Sequence, residues 1–358
     1  MPITEAMRDE LAARQAHFLE AVEAELRRVL EVPHPQLAHH YGMMHYHLGW
    51  ADEHLQPAQG DTGKRLRPLL CLEACFALGG DWRRALPAAA ALELLHNFSL
   101  IHDDIEDRSD LRRGRATVWK LWGVPLAVNV GDGMFSLAHL TVQDLLTRGV
   151  PVRQVLQASR MFSQTCVALT EGQFLDMDME DRLDVDLDQY LWMIRNKTAV
   201  LLGTSTGMGA LLAGAPDDVI AACQRFGEQV GMAFQIVDDI LGTWGDEAVT
   251  GKSAYSDVRD RKKTYPVAYA LDLLARVPDA PEAEPCRRLR ELYSRPLSER
   301  DVEEVLSIFQ AIHAREQAEE AAEGYYQMAL AHLREAGLDE DRAPGLWWLA
   351  SRLVHRKR

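Results

Sequence analysis

The sequence predicts an all-α protein, and three observations carry that prediction. Apolar residues recur at three- and four-residue steps along most of the chain. Clean period-two alternation bounded by turn signals is hard to find, and breakers rich in Gly and Pro fall between the periodic segments. The first segment carries Met7, Leu11, Phe18, Val22, Leu26 and Val29 at such steps. "GKRLRP" stands at the start of the next helical pattern. The apolar run "ALELLHNFSL" leads directly into "IHDDIEDRSDLRRGRATVW", and "AVLLGTSTGMGALLAGA" is short and broken by Gly, Ser and Thr. The latter reads as a buried helix rather than a membrane span. From Pro216, read as a first-turn proline, Val219, Cys223, Phe226, Val230, Phe234, Val237 and Leu241 continue the helical period. The acidic, Pro-rich stretch Val277 to Pro285 reads as a loop between helices, because helical pattern resumes at once. There is no internal repeat, so the expectation is one domain over 1–358, a bundle of many helices with 1–60 as a helical extension packed on its core.

Composition narrows the function classes. A 47% hydrophobic and 26% charged chain of 358 residues is that of a soluble globular protein with a sizeable core. With 54 acids against 39 Lys plus Arg, the formal charge of −15 argues against general nucleic-acid binding. Anionic small molecules remain possible where metal ions or local cations receive them. The five cysteines (Cys71, Cys75, Cys166, Cys223, Cys286) form neither CxxC nor a Cys/His zinc pattern, and are expected to be buried thiols. The acidic, amphipathic N-terminus is no secretory signal, so a cytoplasmic location without stable membrane insertion is expected. Six of the 13 histidines lie between His34 and His54, but their spacing matches no ligand pattern.

Two acidic clusters carry the chemistry. On a helix, Asp103, Asp104 and Asp107 project toward one patch, three or four residues apart. Carboxylates so arranged repel one another unless something offsets the repulsion. A hard cation does so: Mg²⁺ needs only one or two protein carboxylates beside waters and phosphate oxygens. A solvated acidic face balanced by the following arginines would show the same pattern. In "FQIVDDILGTWGD", Asp238 and Asp239 sit late in a second apolar helix, with Gln235 one turn earlier. Two such helices facing each other across a cavity could hold several Mg²⁺ ions, as helix-bundle cores do elsewhere. Cations complete the set: Lys64 and Arg67, Arg112 and Arg113, Lys197 beside Thr198, Lys252 and Lys262. Together with the acids they describe a site for two polyanions, one chelated through metal and one held directly by Lys and Arg.

These residues resemble the trans-isoprenyl diphosphate synthase family, most closely its short-chain geranylgeranyl members. The resemblance runs from about Lys64 to the C-terminus through "GKRLRP", "ELLHNFSLIHDDIEDRSDLRRGRATVW", "NVGDGMF", "RNKTA", "FQIVDDILGTWGD" and "SDVRDRKKTYP". It implies a helical bundle around a central cavity and a homodimer. It also implies Mg²⁺-dependent, head-to-tail condensation of isopentenyl diphosphate with dimethylallyl, geranyl or farnesyl diphosphate. By position, Asp103, Asp107 and Asp238 bind Mg²⁺, three ions in all, supported by Asp104 and Asp239. Arg112, Lys197, Lys252 and Lys262 match the allylic diphosphate site. Lys64, Arg67, His96 and Arg113 match the isopentenyl diphosphate pocket. Thr198 and Gln235 match polar residues near the reacting carbons.

One departure stands out. Gly242 occupies the place of the third acid of the second motif, and Asp246 lies too far along the chain to substitute directly. A class I terpene cyclase and a non-catalytic partner subunit are therefore alternatives. Four and five residues before Asp103, Ser99 and Phe98 lie about 6–7.5 Å deeper along the helix axis. A single ring at Phe98, with small Ser99, resembles enzymes that make the C20 product. Farnesyl and farnesylgeranyl products remain open, as does plain core packing of Phe98.

Overall fold

The computed structural model describes residues 5–245 and 255–355. It is helical nearly throughout, as the apolar periodicity predicts. The chain divides into two compact units.

The first unit comprises the described residues of 1–164, 205–220 and 340–345. Its helices are α1 (Glu5–Val29), α2 (Ala38–His47), α3 (Leu66–Ala77), α4 (Leu86–Glu106), α5 (Val118–Trp122) and α6 (Val124–Gln143). It also takes the first part of α7 (Val152–Met179) and the last part of α9 (Val200–Leu212). The run Leu86–Leu95 of α4 is buried all round, and four of its residues are consecutive alanines, Ala88–Ala91. Small side chains there let α1, α3 and α6 approach α4 closely. Leu11, Phe18, Val22 and Leu26 of α1 are buried, as is Leu30 just after it, whereas Val29 is only half-buried. Among the described residues the one paired sheet is a hairpin, Leu111–Arg112 with Arg115–Ala116. It turns on Arg113 and Gly114, both at positive φ (52° and 72°), the backbone of a two-residue hairpin turn. The chain thus reverses direction just after the first acidic cluster, and nothing in its pattern predicts this small strand pair.

The second unit comprises the described residues of 165–204, 221–339 and 346–358. It holds the last part of α7, α8 (Leu187–Ile194), the start of α9, and most of α10 (Asp217–Trp244). The remaining helices are α11 (Ser256–Arg259), α12 (Tyr265–Arg276), α13 (Ala283–Tyr293), α14 (Glu299–Ala311), α15 (Ala314–Glu335) and α16 (Pro344–Val354). The expected loop at 277–285 falls largely between α12 and α13. Pro216 lies just outside α10 rather than in its first turn, and its carbonyl accepts the N–H of Ile220 at 3.0 Å. The anticipated buried helix is α9, and no helix among the described residues is long and apolar enough to cross a membrane. All five cysteines are buried free thiols.

Candidate active site

The first acidic motif lies at the C-terminal end of α4. Asp103 is half-buried and Asp107, at the helix end, is exposed. The N–H of Asp107 donates to the carbonyl of Asp103 at 2.8 Å, so the helical turn between them is intact. Both carboxylates therefore project to one side, about 5–6 Å apart at Cβ. Asp104 behaves differently. It is 1% exposed and takes the Arg112 guanidinium in a fork, Nε at 2.9 Å from both oxygens and Nη2 at 2.8 Å from Oδ1. Burial pushes its carboxyl above the usual carboxylate range, against the pull of Arg112. Asp104 is thus a partner for Arg112, and the hairpin is what brings Arg112 back over α4.

Around this motif the unit gathers its cations. The half-buried His96 lies in the field of Arg67, Arg113 and Arg112; burial and those charges push its imidazole well below the usual range, so it is neutral at pH 7. Arg113, at the hairpin tip, reaches back toward the 61–63 loop, its Nη1 lying 3.4 Å from the carbonyl of Asp61. Lys64 is exposed just ahead of α3, and Arg67 is half-buried in its first turn. Between them, Arg65 sits in the left-handed region (φ 45°) and is 6% exposed. Its Nη1 donates to Glu93 at 2.9 Å, and Asn97 donates to the same oxygen at 2.8 Å. This buried pair anchors the "GKRLRP" segment to α4. Sequence reasoning missed both Arg65 and Glu93, because only a fold reveals that an acid within an apolar helix has a cation waiting. It also missed His47, whose imidazole burial pushes well below the usual range in the field of Arg112, Arg113 and Arg65.

Phe98 and Ser99 lie one to two turns back along α4, both half-buried. The Phe98 ring packs on Phe135 of α6, with centroids 4.8 Å apart, and Phe135 in turn on His139 at 4.6 Å. The Ser99 hydroxyl donates to the carbonyl of His96 at 2.9 Å.

The second motif and its neighbours belong to the other unit. "RNKTA" forms a π-helical turn, Arg195–Ala199, between α8 and α9. Such turns widen the backbone locally and re-aim side chains. Gly172 of α7 permits this: a Cβ there would overlap the backbone N of Lys197 and lie 2.7 Å from the carbonyl carbon of Asn196. Lys197 is ion-paired with Asp176. The Thr198 hydroxyl donates to the Gln235 carbonyl at 3.0 Å, and the Gln235 amide donates to Asp239 at 3.1 Å. The three polar side chains are linked in the order Thr198, Gln235, Asp239, which fixes the direction of the Gln235 dipole.

Asp239 also accepts from the Tyr190 hydroxyl at 2.5 Å and from the N–H of Tyr265 at 2.8 Å, at the N-terminus of α12. It is 5% exposed, and burial pushes its carboxyl up to about 7. Three donors hold Asp239, those of Tyr190, Tyr265 and Gln235, so its carboxylate ties α10 to its neighbours within this unit. Asp238, the next residue, is half-buried. Lys262 is exposed, its Nζ 4.0 Å from Asp257, while Lys263 is buried and donates to the carbonyl of Glu180 at 2.7 Å. Lys252 and Asp246 lie outside the described residues.

The donor chemistry suits Mg²⁺. Asp103, Asp107 and Asp238 offer hard carboxylate oxygens at half-buried or exposed positions. Among the described residues no group of three or more His, Cys, Asp or Glu side chains could hold an ion by itself. One or two protein carboxylates, completed by water and phosphate oxygens, is the coordination Mg²⁺ prefers. The histidine-rich stretch has other uses: His34 caps a short 3₁₀ turn, and His45 Nε2 lies 2.9 Å from the carbonyl of Leu30.

Comparisons with known proteins place the chain in a family. Residues 49–309 match the model of the Polyprenyl synthetase family. The chain is 46% identical over 228 residues to (2E,6E)-farnesyl diphosphate synthase of Mycobacterium tuberculosis, covering 63% of this chain and 62% of that protein. The match thus spans less than two thirds of that relative's length. It is 38% identical over 334 residues to geranylgeranyl diphosphate synthase of the same species, covering 93% of this chain and 90% of that one. The crystal structure of polyprenyl synthetase from Streptomyces coelicolor superposes with a TM-score of 0.86 at 32% identity, covering 96% of this chain and 99% of that chain.

Proposed function

The chain belongs to the polyprenyl synthetase family, and we propose accordingly that it is a short-chain trans-prenyltransferase. It condenses isopentenyl diphosphate with allylic diphosphates, and its main product is geranylgeranyl diphosphate. The observation that carries the reading is the division of labour on α4. Asp103 and Asp107 present carboxylates outward, while Asp104 is spent on orienting Arg112.

Asp103, Asp107 and, in the second motif, Asp238 would hold Mg²⁺, three ions in all, which when bound would supply Lewis-acid neutralisation of diphosphate charge. The chain's own groups do the rest. Arg112, fixed by Asp104, and Lys197, poised by Asp176, are assigned to the allylic diphosphate, as are Lys252 and Lys262 by their places in the motifs. Lys64, Arg67, Arg113 and neutral His96 bind isopentenyl diphosphate, the arginines as charged forks and His96 as a hydrogen-bonding group. The Gln235 carbonyl, directed by Thr198 and by Asp239 through its amide, stabilises positive charge at the allylic carbons. Phe98 forms the floor that ends chain growth.

A farnesyl product is the second reading, favoured by the Phe98–Phe135 ring pair, which thickens that floor, and by the 46% identity to a farnesyl diphosphate synthase. The chain is proposed to act as one cytoplasmic domain over 1–358 and as a homodimer. Exposed Leu121, Val124, Leu126, Val128 and Leu140 on α5 and α6 support the homodimer.

The test supplies purified protein with Mg²⁺, isopentenyl diphosphate and each allylic starter, and identifies products by mass. Longer diphosphates support the reading. Hydrocarbons or alcohols from a single allylic substrate would identify a cyclase, and no product from the protein alone would identify a partner subunit.

A further inference from the structure

The hairpin that carries Arg112 and Arg113 is held from outside the acidic motif. Its second strand places Arg115 directly across from Arg112. Arg115 reaches the end of α2 and the loop after it. Its Nη1 donates to the carbonyl of Tyr46 at 3.2 Å, and its Nη2 to the carbonyl of Ala51 at 2.6 Å. The same guanidinium lies over the Tyr46 ring, 4.0 Å from its centroid. Tyr46 is buried, and its hydroxyl donates to the carbonyl of Ala116 at 2.7 Å. One residue pair thus fastens the hairpin to α2 in both directions.

The loop that receives Arg115 is itself closed. The N–H of Ala58 donates to the carbonyl of Trp50 at 2.9 Å, and that of Gly60 to the carbonyl of Gly49 at 2.8 Å. Gly49 has a φ of 83°, and a Cβ there would stand 2.9 Å from the backbone oxygen of Asp61, so glycine is required. That oxygen is the one Arg113 Nη1 approaches at 3.4 Å. The Asp61 side chain accepts the N–H of Gly63 at 2.7 Å, which fixes the loop beyond it. The segment 46–61 therefore meets the hairpin twice, at Arg115 and at Arg113. The two site arginines are held unequally. Arg112 has the Asp104 fork at 2.8–2.9 Å, a charge-assisted contact. Arg113 sits in the left-handed region (φ 52°), a conformation that persists only where its surroundings determine it, and its contact to Asp61 is long.

We propose that Arg115 is a positioning residue for isopentenyl diphosphate: by clasping the segment 46–51 it fixes the hairpin tip and with it the direction of Arg113. The stretch ahead of "GKRLRP" is thereby part of the scaffold of the diphosphate site. Arg112 depends on the clasp far less, because Asp104 holds it from α4. This inference rests on the prenyltransferase reading for the identity of the ligand, but the clasp itself can be tested without turnover.

The experiment compares wild type with Arg115→Ala, Arg115→Lys and Tyr46→Phe. For each, kcat and the KM values for isopentenyl diphosphate and for the allylic diphosphate are measured, together with amide hydrogen exchange over 111–116. Arg115→Ala should speed that exchange and raise KM for isopentenyl diphosphate about tenfold, with the allylic KM changed by less than about twofold. Arg115→Lys keeps a cation over the Tyr46 ring and one donor, so its KM for isopentenyl diphosphate should fall between the two. Tyr46→Phe removes only the link to Ala116 and should show the same split in smaller measure; it carries the comparison if Arg115→Ala does not fold. Both KM values raised alike would mean a general structural role and would overturn the inference. So would faster exchange over 111–116 with an unchanged KM for isopentenyl diphosphate. Failure of the prenyltransferase reading would appear separately, as a wild-type protein that forms no condensation product.

Discussion

Arg112 folds back on Asp104, with its Nε 2.9 Å from both carboxylate oxygens. Two adjacent aspartates of one motif therefore have different surroundings. On the proposed reading Asp103→Asn removes a metal donor and should lower condensation turnover at least about 100-fold with every allylic starter. Asp104→Asn should cost about tenfold, through a misdirected Arg112. Steady-state kinetics over a range of Mg²⁺ concentrations separates them: equal losses with the same Mg²⁺ dependence would count against the division of labour.

The buried Arg65–Glu93 pair anchors the loop that carries Lys64 and Arg67. Breaking a buried pair typically costs about 3–5 kcal/mol, and Glu23, 3.5 Å from Arg65 Nη2, offsets part of that loss. Glu93→Gln is expected to shift the denaturant midpoint strongly downward. A midpoint equal to that of wild type would mean that the pair is not needed to hold the loop.

Asp239 gives stability a pH signature. Its carboxyl lies at about 7 in the folded chain, above the usual carboxylate range. The folded state therefore favours the protonated form. That contribution is fully present below about pH 4 and is lost as pH rises through 7. The unfolding temperature of wild type should fall, relative to Asp239→Asn, as pH increases from 4 to 8. Parallel profiles for the two proteins would exclude this role for Asp239.

Phe98→Ala should lengthen the product, since the ring would no longer close the channel. Phe135 stands behind it at 4.8 Å, so the single variant should lengthen the product partially and Phe98→Ala/Phe135→Ala further. Product masses from dimethylallyl and farnesyl starters check this, and an unchanged distribution in the double variant would place the floor elsewhere.

Much of this protein was legible from local pattern. Apolar steps of three and four predict helices because that spacing builds one face, and α1, α4 and α10 follow it to within a few residues. The acidic pairs, "GKRLRP" and "RNKTA" are contiguous, so their residue types and spacing pointed to phosphate and Mg²⁺ chemistry before any fold was known. The hairpin was not legible, because Arg113 and Gly114 turn the chain only through paired positive φ values.

Fold class, family and the inventory of acids and cations could all be read from the order of residues alone. Which of those groups are free to act depends on how the chain packs. Asp104 and Asp239 read in sequence only as acids of two motifs; the fold buries both and gives them partners, Arg112 for the one and Tyr190 and Tyr265 for the other. The reason is physical: helical period and residue type are set by neighbours in the chain, whereas the field and solvation of a carboxylate are set by neighbours in space.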